Sequence, residues 1–423
     1  MDRLRALHDA GVSIWLDNMS RELLNSGDLA HLVKDRSVTG ATSNPTIFAT
    51  AITRSDSYRH QLARLAAAGE RDPREMFFAL ALEDVRRAAD VFRPVYDATH
   101  GGDGFISFEC TPDLANDAAG TVAQARELWR RIDRPNAMIK VPGTVAGIEA
   151  VEVLTGDGIN VNVTLLFSVD RAAAFLQAYQ RGLHQRLDRG DPLEHVRSVA
   201  SFFVSRVDAA VDAMLPEGSP LRGRVAVANA AVAFSLYEKQ SAAPLWPELA
   251  AAGASPQRPL WASTGTKNPD YSDLLYVDSL IAPGTVNTMP LATLDAFADH
   301  GDSDGTIVGV DVATDTLRRA SAADVDLNRI TADLERAGVE SFCASYGEIL
   351  DLHHPSGRRA SRVQSGAPVA RFSSIRPLLL RVVESVLARV LMAVPQAIDP
   401  RGSAHGYREC LFLGEVRPDR TCG

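Results

Sequence analysis

The feature that most limits how this chain can fold is the alternation of short β-branched runs with longer stretches of helical period. Eight candidate strands occur, at 12–17, 38–43, 104–109, 136–141, 159–167, 199–207, 259–264 and 286–289. Such alternation is the signature of repeated βα units laid around a parallel sheet. Eight units favour a closed barrel over an open doubly wound sheet. No G-x-G-x-x-G follows a strand and no G-x-x-x-x-G-K-[ST] occurs, so neither nucleotide fingerprint supports the open sheet. The fold expected is α/β, a single (β/α)8 TIM barrel. Among the helices, Asp72-Pro73-Arg74-Glu75 combines an N-cap, a proline at the first helical position and a capping-box glutamate, opening a run to about Phe92. Further helices are expected at 121–132, 170–187, 221–236 and 323–337. Gly101-Gly102-Asp103-Gly104 reads as a turn before a strand.

Charge divides the chain unevenly. Residues 1–352 carry 33 basic and 48 acidic side chains, whereas residues 353–423 carry 11 basic and 5 acidic ones. With 46% hydrophobic and 23% charged residues the composition is that of a globular protein. Its acidic body disfavours broad binding to nucleic acid or an anionic membrane. The opening MDRLRALHDAGVSIWLD has no uninterrupted apolar region, so no secretory signal is expected and a cytoplasmic location follows. Cys110, Cys343, Cys410 and Cys422 are widely separated and form no CxxC pair, which argues against a zinc site or structural disulfides. Residues 353–423 are rich in Arg, Ser, Pro and Gly. They are expected to be a separate basic extension with one amphipathic helix built on Leu379, Val383, Val386, Val390 and Val394.

In a barrel of this kind the active site is built at the C-terminal ends of the strands. Reactive residue types gather there. The first strand closes on Asp17, the second on Asn44 before Pro45, the third on Glu109 and the fourth on Lys140. The fifth passes Asn162 and Thr164, the sixth presents Ser201 and Arg206, and the seventh reaches Ser263 with Lys267 just beyond. Lys140 is one of four lysines against 40 arginines, and it sits between Ala137-Met138-Ile139 and Val141-Pro142-Gly143. An amine in such apolar surroundings suits a nucleophile for a carbonyl substrate; an ion pair with Glu109 or Asp17 is the structural alternative. Schiff-base chemistry also needs groups that move protons, a division of labour open to Asp17 and Glu109. Arg206, Ser263 and Lys267 offer two positive charges and a hydroxyl where barrels often bind phosphate.

Seven stretches together resemble transaldolase in its high-GC bacterial form, over about residues 4–351. They are Ser13-Ile14-Trp15-Leu16-Asp17, Thr42-Ser43-Asn44-Pro45-Thr46-Ile47-Phe48, Met138-Ile139-Lys140-Val141-Pro142 and Asn162-Val163-Thr164-Leu165-Leu166-Phe167-Ser168. With them go Ala200-Ser201-Phe202-Phe203-Val204-Ser205-Arg206, Trp261-Ala262-Ser263-Thr264-Gly265-Thr266-Lys267-Asn268-Pro269 and Val286-Asn287-Thr288-Met289-Pro290.

The resemblance implies transfer of a dihydroxyacetone unit between sugar phosphates with no metal or organic cofactor, and a homodimer is compatible with it. Lys140 would form the Schiff base. Asp17 would exchange the C4 hydroxyl proton. Glu109, through a water held with Thr164, would serve imine formation and hydrolysis. Asn44, Asn162 and Ser201 would hold and orient the three-carbon fragment, while Arg206, Ser263 and Lys267 would hold the phosphate. Two alternatives remain at this point: an aldolase that releases the three-carbon unit without an acceptor, and a catalytically idle sugar-phosphate-binding barrel. Cys110-Thr111 departs from the aliphatic residue and aspartate usual after the glutamate. Residues 353–423 have no counterpart in the resemblance; a fusion, an appended oligomerisation element and out-of-frame GC-rich coding all fit their composition.

Overall fold

A computed structural model of the chain describes residues 2–352. The expected amphipathic helix at 379–394, the basic extension containing it, and Cys410 and Cys422 lie outside the described residues. Eight parallel strands, each overlapping an expected one, close on themselves: β1 Ser13–Leu16, β2 Val38–Thr42, β3 Ile106–Glu109, β4 Ala137–Pro142, β5 Val161–Leu166, β6 Ser198–Phe203, β7 Arg258–Ala262 and β8 Val286–Met289. Strand order follows chain order, and β1 closes the ring on β8 through Ser13 opposite Val286 and Leu16 opposite Met289. Helices surround the ring, so almost every strand residue is buried on both faces. Among the described residues no helix is long and apolar enough to cross a membrane.

Close packing of the barrel depends on a few small residues. Gly40 on β2 faces the indole of Trp15, where an added Cβ would stand 2.6 Å from the ring. Trp15 in turn donates its Nε1–H to Asp103 Oδ1 at 2.8 Å, tying β1 to the turn before β3. That turn needs Gly104: its φ is +87° and a Cβ would meet the backbone of Tyr96 at 2.4 Å. At the N-terminal end, Arg197 donates to the carbonyls of Gly101, Glu194 and Val196, and Arg258 to those of Gly102, Gly284 and Thr285. Both guanidiniums are thus committed to satisfying loop carbonyls around that rim.

Several local expectations are corrected. Asp72 does cap the helix Pro73–Ala98, but through the Arg74 N–H. Glu75 leaves the capping box and pairs with Arg131 at 3.1 Å, because the Asp72 N–H already donates to Glu70 Oε1. The sixth strand ends at Phe203, not near Val207. Val204 turns the chain (φ −106°, ψ −67°) while donating its N–H to Ala262 O, and the helix Ser205–Asp212 begins there. Arg206 therefore stands on a helix. The helix expected at 221–236 is Val225–Gln240, and the one expected at 323–337 is Leu327–Leu352. This last helix reaches the C-terminal mouth: Ser345 shares a hydrogen bond with Thr46, and Gly338 leaves room for the Leu165 side chain at the end of β5.

Under the outer helices, Arg21 is buried with Asp84. Its Nε–H donates to Asp84 Oδ1 at 2.7 Å, its other nitrogens to Gln61 Oε1 and Leu80 O, and its guanidinium lies 4.6 Å from the centre of the Tyr58 ring. Removing one partner strands a charge in a dry site. Asp84→Ala is expected to cost about 3–5 kcal/mol, read as a fall in thermal midpoint; a change below about 1 kcal/mol would mean that this pair does not hold the helix Arg21–Asn25 to the helix Pro73–Ala98.

Candidate active site

The register of three neighbouring strands brings the central residues together. Glu109 on β3 stands opposite Lys140 on β4, and Lys140 stands opposite Asn162 on β5. Lys140 Nζ donates to Ser43 O at 2.9 Å and lies 3.4 Å from Glu109 Oε2. Only 5% of Lys140 and 6% of Glu109 is exposed, so the contact is a desolvated one. Burial pushes the Glu109 carboxyl above its ordinary range; Lys140 pulls it down and Asp17 adds to the rise. The ion pair raised as a structural alternative is thus present, and it leaves the amine beside a carboxyl group inside the barrel.

Asp17 follows β1 directly. Its N–H donates to Met289 O, and its Oδ1 accepts from Thr42 Oγ1 at 2.9 Å; Thr42 in turn shares a hydrogen bond of 2.8 Å with Thr288. The carboxyl is raised by burial and lowered by Lys140, Thr42, Arg206 and Lys267, in that order. One field therefore links the lysine, this carboxylate and the two outer cations.

Asn162 is fully buried and locked on both sides, its Nδ2 donating to Ser107 Oγ at 2.9 Å and its Oδ1 accepting from Ser201 Oγ at 2.7 Å. Asn44 caps the helix Pro45–Arg54, accepting from the Ile47 N–H at 2.9 Å, which commits its carbonyl oxygen and leaves the amide NH2 to face other groups. Thr164 Oγ1 and both Glu109 carboxylate oxygens are buried with no hydrogen-bond partner in the protein. Next to Thr164, β5 breaks register against β6 and Leu165 takes φ +60°; Ser263, just past β7, takes φ +57°. Both residues lie in the left-handed region at the ends of strands, a strain commonly found at sites of function.

At the outer edge, the Arg206 guanidinium lies 5.3 Å from the Phe203 ring centre, and burial depresses its pKa against the pull of Asp17. Ser263 Oγ is 3.0 Å from Ser205 Oγ. Lys267 is open to solvent on the loop after β7; nearby protein and then Arg206 lower its pKa, while Asp17 raises it. Sequence reasoning missed Ser107, Thr42, Thr288 and Ser205. The signal for Ser107 was its place two residues before Glu109 on one strand, hence on the same face. Thr42, Thr288 and Ser205 were already inside quoted motifs. Cys110 is buried with its thiol pushed up by burial, and Thr111 exchanges two hydrogen bonds with Gln124 at 2.7 and 3.0 Å, so the segment after Glu109 is firmly held. Among the described residues no group of three or more His, Cys, Asp or Glu side chains is placed to hold a metal ion.

Residues 14–352 match the family model described as Transaldolase/Fructose-6-phosphate aldolase. The chain belongs to this enzyme family. It is 50% identical over 355 residues to a protein named Transaldolase from Thermobifida fusca (strain YX), an alignment covering 82% of this chain and 96% of the relative. Similarity is comparable to the Transaldolase of Saccharopolyspora erythraea, 49% over 352 residues with 82% and 95% covered, and to that of Acidothermus cellulolyticus, 49% over 367 residues with 85% and 98% covered. The family match ends where the described residues end, at 352.

The helix bearing Arg206 is anchored by Asp208, whose oxygens accept from the Ala226 N–H at 2.8 Å and the Tyr276 hydroxyl at 3.0 Å. Burial raises this carboxyl to about 7, with Asp212 contributing. A folded-state value above the unfolded one means that the native protein holds the extra proton, so this stability is present below the unfolded pKa and lost as pH rises through the folded one. Asp208→Asn should gain on the parent in thermal midpoint between about pH 4 and pH 7 and then level off. A difference independent of pH would show Asp208 to be ionised throughout.

Proposed function

We propose that the protein is a transaldolase that passes a dihydroxyacetone unit from sedoheptulose 7-phosphate to glyceraldehyde 3-phosphate, giving erythrose 4-phosphate and fructose 6-phosphate, through a Schiff base on Lys140. The observation that carries this proposal is the Lys140 amine held 3.4 Å from Glu109 inside the barrel, in one electrostatic field with Asp17. In this reading Lys140 attacks the ketose C2 carbonyl, and the carbinolamine loses water to give the imine. Glu109 moves the protons of that step through a water held with Thr164, a role suited to buried oxygens that accept no hydrogen bond from the protein. Asp17 takes the C4 hydroxyl proton as the C3–C4 bond breaks. The bond's electrons pass into the imine, leaving an enamine on Lys140 and a free aldose phosphate. The acceptor aldehyde then adds at C3, Asp17 returns the proton, and hydrolysis of the new imine frees the product.

Asn44, Asn162 and Ser201 hold the hydroxyls of the three-carbon unit, while Arg206, Ser263 and Lys267 hold the phosphate. Relatives named Transaldolase favour transfer over the aldolase activity that the family description also includes. The two differ in whether product from fructose 6-phosphate requires erythrose 4-phosphate as acceptor.

Treatment with fructose 6-phosphate and borohydride, followed by digestion and mass analysis, should place a three-carbon adduct on Lys140. Lys140→Ala should lose at least roughly 10³-fold in turnover while keeping its fold. An unmodified Lys140 in active, treated protein would sink the proposal.

Residues 1–352 are proposed to be the whole catalytic unit, with 353–423 appended to it, since the family match stops at 352. Truncation after Asp351 should preserve turnover and solubility; loss of either would assign the appended residues a part in the enzyme.

A further inference from the structure

The loop following β7 carries Lys267, and the helix Ser205–Asp212 carries Arg206. These two cations repel one another: after the nearby protein's partial exclusion of water, Arg206 is the cause that lowers the Lys267 pKa. Bringing both toward one anion requires something else to hold the loop against the helix. Two tyrosine–aspartate hydrogen bonds do so. Asp208 and Asp212 lie four residues apart, hence on one face of the helix, and are 1% and 6% exposed. The Tyr276 hydroxyl donates to Asp208 Oδ2 at 3.0 Å, and the Tyr271 hydroxyl donates to Asp212 Oδ2 at 2.7 Å. The other oxygen of each carboxylate accepts a backbone N–H, from Ala226 at 2.8 Å and Gly223 at 3.1 Å. Each aspartate therefore joins the Arg206 helix to the chain downstream of Lys267 and to the chain around the start of the helix Val225–Gln240, Asp208 at its first turn and Asp212 just before it.

Tyr271 is the member of the pair closer to Lys267, and the loop between them is internally closed. The Tyr271 N–H donates to Asn268 O at 3.2 Å, and Thr266 Oγ1 donates to Ser272 O at 2.8 Å. A shift at Tyr271 is thus passed to Lys267. The ring has a prepared seat: Gly223 has φ +68°, and a Cβ there would stand 2.9 Å from the Tyr271 ring.

Resting on the proposal that Arg206, Ser263 and Lys267 hold the substrate phosphate, we infer that Tyr271 is a positioning residue whose hydrogen bond to Asp212 fixes Lys267 relative to Arg206 and so sets affinity for the phosphate end of the sugar. Tyr271→Phe tests this directly, since it keeps the ring in its seat and removes one hydroxyl. The KM for fructose 6-phosphate and the inhibition constant of inorganic phosphate should both rise about tenfold, while kcat stays within about twofold. The kcat/KM for fructose, a ketose donor without phosphate, measured with glyceraldehyde as an acceptor without phosphate, should not change. Lys267→Ala, measured in parallel, locates a failure. If Lys267→Ala leaves phosphate inhibition unaltered, the reading of Lys267 as a phosphate ligand falls and this inference falls with it. If Lys267→Ala weakens inhibition but Tyr271→Phe leaves both constants unaltered, or lowers turnover of both donors alike, the positioning role alone is overturned.

Discussion

The arrangement depends on holding an ammonium and a carboxyl group together in the interior of a closed sheet. Taking either Lys140 or Glu109 out of water alone would cost several kcal/mol, and their attraction offsets this only where the geometry is held and remaining donors are satisfied. The barrel supplies both conditions. Adjacent parallel strands place the two side chains in register, and the Ser43 carbonyl from β2's end accepts from the ammonium. An open sheet would leave an edge beside this pair; closure of β1 on β8 removes it and also brings Asp17, oriented by Thr42 and Thr288, into the same enclosure. Among the buried atoms left without a hydrogen bond are both Glu109 oxygens and Thr164 Oγ1, on the side where proton transfer is proposed.

Around this centre the charges are layered. Lys140 faces two carboxyls that burial raises, and farther out Arg206 and Lys267 form a cationic edge that lowers Asp17 in turn. The chain through residue 352 is strongly acidic, so concentrating two cations beside a proposed phosphate-binding hydroxyl runs against its average composition. Like charges held close store repulsion that an incoming dianion would relieve. The aspartates beneath them, tied to two tyrosines and to backbone amides, keep the cationic elements in place while lying too deep to act as competing anions on the surface. Left-handed backbone at Leu165 and Ser263 belongs to the same economy: each costs about 1–3 kcal/mol and each re-aims the chain at the mouth of the barrel.

Much of this was legible in the residues. Strands buried on both faces read as short, nearly continuous apolar runs, so a charged residue at the end of such a run stands out; Asp17, Glu109 and Lys140 were found in this way. Less was legible where a neighbouring element decides the outcome. Val199 through Val207 is β-branched and aromatic enough to read as one strand, yet the Val204 bond to β7 turns it early and moves Arg206 onto a helix. Glu75 has the spacing of a capping box, but Arg131 and Glu70 compete for the same groups. Asn44 was visible as a polar strand end, whereas its duty as a helix cap depends on the turn that Pro45 begins. The last helix extends well past its expected end because it packs against the helices after β2 and before β3, contacts between residues far apart in the chain that its own sequence does not announce.

The scarcity of lysine acquires a physical reason from these positions. Lys34 and Lys239 are exposed on helices, where arginine would serve as well. Lys140 occupies a place where arginine could keep the ion pair with Glu109 and would even make it bidentate, but could not form the carbon–nitrogen bond that the Schiff-base reading requires, since a guanidinium stays protonated. Lys267 differs again. A compact ammonium on a flexible stem can follow a phosphate as it arrives, while the rigid fork beside it, Arg206, stacks near Phe203 and sets direction. A chain that otherwise uses arginine nearly everywhere therefore keeps an amine where covalent chemistry is proposed, and pairs a mobile charge with a fixed one where it is proposed to grip its substrate.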